Sequence, residues 1–184
     1  MIFQLFRRTR DDPSITSLYG TIVAQARAPA FYQSFGVADT VNGRLEMILL
    51  HVVLLLRRLA PEPAAGPSGQ ALDQAIFDLF CRDMDANLRE MGVGDLAVPR
   101  TMRRIGEAFY GRQAAYKTAL DSSDPRVLVD VLARNVLDGH LGANAERLAG
   151  YVRAAMRALA GQSIADLRQG KLGFPDPANL ETTA

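Results

Sequence analysis

The sequence predicts an all-α chain folded as a single domain, a bundle of six or seven helices. Three observations predict it. Apolar residues recur at three- and four-residue spacing through most of the 184 residues, and no stretch sustains the period-two alternation of a half-buried strand. The apolar segments are separated by helix-start and helix-stop signals, among them Asp12-Pro13, Asp124-Pro125 and Gly92-Val93-Gly94. Hydrophobic residues make up 48% of the chain, enough for a genuine core at a length that suits one domain and not two.

The elements follow in order. Residues 1–12 read as a flexible tail: Met1–Arg10 is arginine-rich, carries Phe3, Leu5 and Phe6, and has neither the apolar run nor the small-residue cleavage site of a secretory signal. Asp12 then offers a cap and Pro13 a first helical residue, and Ile15, Leu18, Tyr19, Ile22, Val23 and Ala26 form one stripe. Pro29 ends or bends that helix, and Phe31, Tyr32 and Phe35 follow before Gly36. Asp39 or Thr40 caps a second helix, Val41–Leu59. From Met47 to Leu56 it is apolar on every side except at His51, the pattern of a central buried helix. The apolar run is shorter than the roughly 18–20 residues that a membrane span needs.

Residues 60–69 (APEPAAGPSG) read as a mobile Pro/Gly-rich loop. A third helix runs from about Gln70 to Met91, with Phe77, Phe80, Met84, Leu88 and Met91 as its buried stripe. A fourth spans about Val98–Leu120, with Met102, Ile105, Phe109 and Tyr116 inward. Asp124-Pro125 opens a shorter helix, and Gly139 and Gly142 mark a turn. A further helix covers about Ala143–Ala160, with Gly161 suited to its end. Ser163 and Asp166 resemble a capping box for a last short helix. The folded domain is expected over 13–175 and a C-terminal tail over 176–184, with Phe174-Pro175 docking it.

Little in the chain suggests catalysis or a cofactor. The formal net charge of +1 provides no field for nucleic acid. Cys81 is the only cysteine, which forbids an internal disulfide, and its apolar surroundings suit a small buried hydrophobe. His51 and His140 lack second ligands at helical spacing, so no metal site is expected, and a lone histidine in so apolar a helix is more often a hydrogen-bonded core residue. Asp83–Gly94 begins like a calcium loop but has Leu88 where the loop needs glycine and Gly94 where it needs glutamate. Asp78, Arg82, Asp85 and Arg89 instead form an alternating-charge helix stripe. Gly36, Gly92 and Gly94 suit turns with positive φ, and Arg44 and Glu90 could pair in a polar network.

Several segments resemble the ubiquinol–cytochrome c chaperone family. They are Gln25-Ala26-Arg27 with Pro29, Phe31 and Tyr32; Gly36-Val37 with Asp39-Thr40; and Gly43–Met47 (GRLEM). The same is true of Asp83-Met84-Asp85, Asn87–Leu96 (NLREMGVGDL), and Phe109–Arg112 (FYGR) with Tyr116. The resemblance covers about residues 18–175. It implies a non-enzymatic assembly factor of the cytochrome bc1 complex (ubiquinol–cytochrome c reductase) that binds cytochrome b or another subunit. The family's mitochondrial members act with a small partner chaperone and associate with the mitochondrial ribosome. The implied location is the bacterial cytoplasm with peripheral contact to the inner membrane, or the matrix side in a eukaryote. A receiver of membrane-protein helices needs an apolar surface rimmed by both charges. Phe31, Tyr32 and Phe35 are candidates for its apolar part; Arg44, Asp85, Arg89, Glu90, Tyr110 and Arg112 are candidates for its rim. The competing reading is a helical enzyme or carrier for a prenyl chain, quinone or haem, which would need paired carboxylates or a free His51.

Overall fold

A computed structural model of the chain describes residues 12–60 and 67–180, and these are helical throughout apart from their connections. In chain order the helices are α1 (Pro13–Ala26), α2 (Pro29–Gln33), α3 (Val41–Leu59), α4 (Pro67–Glu90), α5 (Val98–Asp121), α6 (Pro125–Val136), α7 (Ala143–Ala160) and α8 (Ile164–Arg168). A 3-10 turn, Pro177–Leu180, follows. The seven expected helices are all present, and the segment after Pro29 adds a five-residue one, α2. The expected tail over 1–12 and loop over 60–69 fall mostly outside the described residues, although Asp12 and the first turn of α4 lie within them. Of the expected C-terminal tail, residues 181–184 lie outside, and Pro177 in the 3-10 turn is buried.

The local signals act as their chemistry dictates. The Asp12, Asp124 and Ser163 side chains accept backbone N–H groups at the starts of α1, α6 and α8. Thr40 Oγ1 accepts the Gly43 amide at 3.1 Å and starts α3. Gly43 is needed there, because a Cβ at that position would overlap the Ala38 carbonyl oxygen. Arg57 and Arg58 complement the C-terminal dipole of α3. Arg58 also donates to the Leu159 and Gln162 carbonyls, both at 3.0 Å, which ties the ends of α3 and α7 together.

Helix α3 is the hub, packed against α1, α4, α5, α6 and α7. Every residue from Met47 to Leu56 is buried, so its apolarity on all sides is used on all sides. Each fully buried leucine such as Leu49, Leu50 or Leu54 contributes about 1.5–3 kcal/mol by leaving water.

The sequence reading needs correction at three positions. Met91, expected in the buried stripe of α4, is 55% exposed: it sits at the helix end, past the last turn that has a neighbour. Gly36 and Gly92 have positive φ, but Gly94 does not. Gly161 ends α7 with right-handed dihedrals, so that helix stops without the left-handed residue expected of a C-terminal glycine.

Candidate interaction surface

The aromatic cluster after Pro29 turns inward. Phe31 and Phe35 are fully buried, with ring centroids 5.4 Å apart, and Phe31 meets Tyr151 edge-on at 4.8 Å. As candidates for a client-facing surface they are therefore misplaced: α2 directs them into the core, where each ring finds aromatic partners. Only Tyr32, the residue between them, stays half exposed; its hydroxyl donates to the Ala26 carbonyl at 2.7 Å.

His51 lies in the same cluster. Its Nδ1 is 2.7 Å from the Met47 carbonyl oxygen and its Nε2 2.6 Å from the Tyr151 hydroxyl. A carbonyl can only accept, so Nδ1 carries the proton and Nε2 accepts from Tyr151. The Tyr151 oxygen in turn accepts from Gln25 Nε2 at 3.1 Å, and the same amide donates to the Pro175 carbonyl at 2.8 Å. The Phe174 ring stands edge-on to His51 at 5.0 Å. Burial drives the His51 pKa down to about 4. Both ring nitrogens are occupied, which leaves none for a haem iron.

The charged candidates form separate groups. Arg44 pairs with Asp39 at 2.6 Å, not with Glu90, and its guanidinium lies 5.8 Å from the Tyr32 ring centre. Asp39 lies five residues before Arg44 in the chain, just ahead of the Thr40 cap, so it is the nearer acid to Arg44. Arg112 of α5 grips Glu46 of α3 with two bonds, Nε to Oε2 at 2.9 Å and Nη2 to Oε1 at 2.8 Å. Glu46 is only 5% exposed, so this fork–fork pair fastens α5 to the hub. Tyr110, 60% exposed, rests on Phe77 and Phe109 with ring centroids at 5.9 and 5.5 Å.

The Asp83–Leu96 string builds the connection between α4 and α5. Asp83 accepts the Tyr19 hydroxyl at 2.8 Å, which ties α4 to α1, and also accepts from Asn87. Burial, then the bond to Asp83, raise the Tyr19 pKa. Leu88 and Met84 are buried. Gly92, at φ 80°, closes a Schellman cap: the Val93 amide donates to Leu88 and the Gly92 amide to Arg89, both at 3.0 Å. Arg89 then bridges Asp85 at 2.7 Å and Asp95 at 2.6 Å, fixing the loop to the helix end. Two apolar side chains in this string make no such contribution: Met91 and Leu96, the latter 99% exposed.

The structure thus brings together Tyr32 with Arg44, Asp85 with Arg89, and Arg112 with Glu46, but does not gather all nine candidates on one face. Sequence reasoning missed Met91 and Leu96 as exposed apolar residues. The signal for Leu96 was its position between Gly94 and Pro99, an apolar residue outside any helical stripe. Among the described residues no three His, Cys, Asp or Glu side chains are grouped to hold a metal, and no helix is long and apolar enough to cross a membrane.

Comparison with known proteins agrees with the resemblance read from the sequence. A family model described as ubiquinol-cytochrome C chaperone matches residues 33–174. The chain is 26% identical over 121 residues to the ubiquinol-cytochrome-c reductase complex assembly factor 1 of Xenopus laevis, covering 66% of this chain and 58% of that protein. It is 27% identical over 140 residues to the factor of the same name in Drosophila melanogaster, covering 74% of this chain and 54% of that one. The chain therefore spans somewhat more than half the length of these curated relatives. Among solved structures, the Cbp3 homolog from Brucella abortus superposes with a TM-score of 0.82 at 39% identity, covering 97% of this chain and 98% of that one.

Proposed function

The chain belongs to the ubiquinol–cytochrome c chaperone family, and from that premise we propose that it is an assembly factor of ubiquinol–cytochrome c reductase. Its action is to bind a subunit of that complex during biogenesis, with cytochrome b as the favoured client, and to release it without covalent chemistry. The observation that carries this reading is the family match across the helical domain, residues 33–174, which takes in Arg44, the α4–α5 connection and Phe174.

The arrangement of the site supports the reading. A binding protein needs rigid elements that present side chains outward, and the Asp83–Leu96 string, which lies within the family match, builds such an element. Arg89, Asp85, Asp95 and Gly92 fix the α4–α5 turn, and Met91 and Leu96 stand out from it. Arg44 and Tyr110 are exposed, and Tyr32 is half-buried beneath Arg44; aromatic and arginine anchors of this kind dominate protein interfaces. The carboxylates that a metal-dependent prenyl enzyme would need are committed elsewhere, Asp83 to Tyr19 and Asp85 to Arg89.

The proposed setting is the face of the energy-transducing membrane on which cytochrome b is made, with a small partner chaperone as a further contact. The deciding experiment is a pull-down with the full chain from membranes that carry newly synthesised subunits of the complex. Capture of cytochrome b is the expected result. If deletion of the gene left both the level of the complex and the haem content of cytochrome b unchanged, the reading would be wrong.

A further inference from the structure

We infer that the groove beneath residues 171–176 is a recognition site for an extended, proline-containing segment of a partner protein that carries an aromatic residue, and that the chain's own Gly173-Phe174-Pro175 occupies it as an exchangeable ligand. This goes beyond the assembly reading and can fail while that reading stands.

The chain's own segment reveals what the groove reads. Residues 171–176 run without helix, turn or bend. Phe174 and Asp176 each precede a proline, which disfavours the helical region for both and holds the stretch extended before it docks. Two glutamines from different elements meet its main chain. Gln162, just after α7, accepts the Gly173 amide at 2.8 Å and donates to the Gly173 carbonyl at 2.7 Å, so one side-chain amide pairs with both backbone groups of a single residue. Gln25 of α1 donates to the Pro175 carbonyl, two residues on, at 2.8 Å. Between these bonds the Phe174 ring stands edge-on to His51 at 5.0 Å, and the His51 ring is backed by Phe31 at 5.7 Å and Tyr151 at 5.6 Å. Neutral side chains that bond the main chain at alternate residues, beside a seat built on aromatic rings, are the means by which pre-extended proline-containing peptides are bound. The backbone bonds are indifferent to sequence, since any residue but proline offers what Gln162 takes from Gly173; only the aromatic ring is selected by shape.

The segment is attached in a way that permits exchange. Among the described residues no backbone–backbone hydrogen bond involves residues 172–175. Phe174 and Pro175 are half-buried and Gly173 is exposed, while His51 beneath them is fully buried. The chain is pinned independently on both sides. Upstream, Ser17 donates to the Gly170 carbonyl at 2.9 Å, and Gly170, at φ 79°, lies so close to α1 that a Cβ there would be 3.0 Å from Ser14 Cα. Downstream, the 3-10 turn packs on α2 and α7. The stretch between these anchors can leave the groove while the helices around α3 keep their contacts with one another.

The test uses the full chain and a fluorescein-labelled synthetic peptide with the sequence of residues 171–180, read by fluorescence anisotropy. In the wild type the tethered segment competes at an effective concentration of about millimolar, so the peptide should bind F174A at least about ten-fold more tightly than the wild type. The same peptide with alanine in place of phenylalanine should bind F174A about thirty-fold less tightly. Adding Q25A/Q162A to F174A should weaken the peptide by about ten-fold. An unlabelled peptide of unrelated sequence built around a Phe-Pro pair should compete, because the groove reads main chain. Hydrogen exchange of the wild type should show the Leu172, Gly173 and Phe174 amides exchanging through an opening that leaves α3 and α7 protected. The inference is overturned if the peptide does not bind F174A, if it binds as well without its aromatic ring, if the unrelated Phe-Pro peptide does not compete, or if those three amides exchange only together with α7. It is also overturned if F174A and Q162A both lose their helical circular dichroism, since the segment is then a permanent part of the fold.

Discussion

Acidification from pH 7 to pH 5 should weaken the fold through one residue, His51. In the folded protein burial holds its pKa near 4, against 6.5 for a free histidine. Between those values the unfolded chain binds a proton that the folded chain refuses, so stability is full above pH 6.5 and falls as the pH drops towards 4. The loss attributable to His51 is about 2 kcal/mol at pH 5 and approaches about 3 kcal/mol below pH 4. Burial explains the refusal, because a charged ring would have no water around it; a proton on Nε2 would also require the Tyr151 hydroxyl to turn its hydrogen away. The assay is urea denaturation followed by circular dichroism at both pH values, for the wild type and His51→Gln. Asp73, pushed up to about 6 by burial, acts with the opposite sign over an overlapping window, and exposed carboxylates titrate as well. These contributions are common to both proteins, so the difference between the two pH slopes isolates His51. If the wild type and His51→Gln lost stability in parallel, the low pKa assigned to the buried His51 would be wrong.

The other expectations concern packing and pairing. Arg112→Ala leaves Glu46 buried without its partner and should cost about 3 kcal/mol in chemical denaturation, whereas the double change E46L/R112M should recover much of that. Gly43→Ala should destabilise by about 2 kcal/mol or more, or prevent folding, because its Cβ would meet the Ala38 carbonyl oxygen. Gly111→Ala, in an open stretch of α5, should raise stability by up to about 1 kcal/mol. Phe31→Ala should cost about 3–5 kcal/mol and lower the melting temperature, while Leu96→Ser should change stability by less than about 0.5 kcal/mol. A Phe31→Ala protein as stable as the wild type would return that ring to the list of surface candidates.

The fold was legible because its signals are local and redundant. Asp12-Pro13 and Asp124-Pro125 specify helix starts by capping and fixed φ, and the apolar belt of Met47–Leu56 declares a hub before any partner is known. The candidate site was legible only in part. Phe31, Tyr32 and Phe35 carry the same aromatic signal, and the dihedrals of a five-residue helix decide that two go inside and one stays half out. Pairings were harder still. That Arg112 would choose Glu46, 66 residues away in the chain, depends on how α5 lies along α3, and nothing in either segment states it. Leu96 was overlooked for the opposite reason: its exposure follows from an absence of neighbours, and periodicity reports only residues that have them.

The hydrogen bonds through Gln25, Tyr151 and His51 also set an order in time. A chain made from its N-terminus completes the hub helix long before residue 151 exists, so His51 is then enclosed, if at all, with one nitrogen unanswered. Tyr151 supplies the missing donor, and Gln25 is satisfied only when the Pro175 carbonyl arrives. The central helix of this protein therefore cannot reach its final state during early synthesis. Its maturation waits on nearly the last segment of the described chain, and a truncated or stalled product would carry an unpaired polar group at its centre.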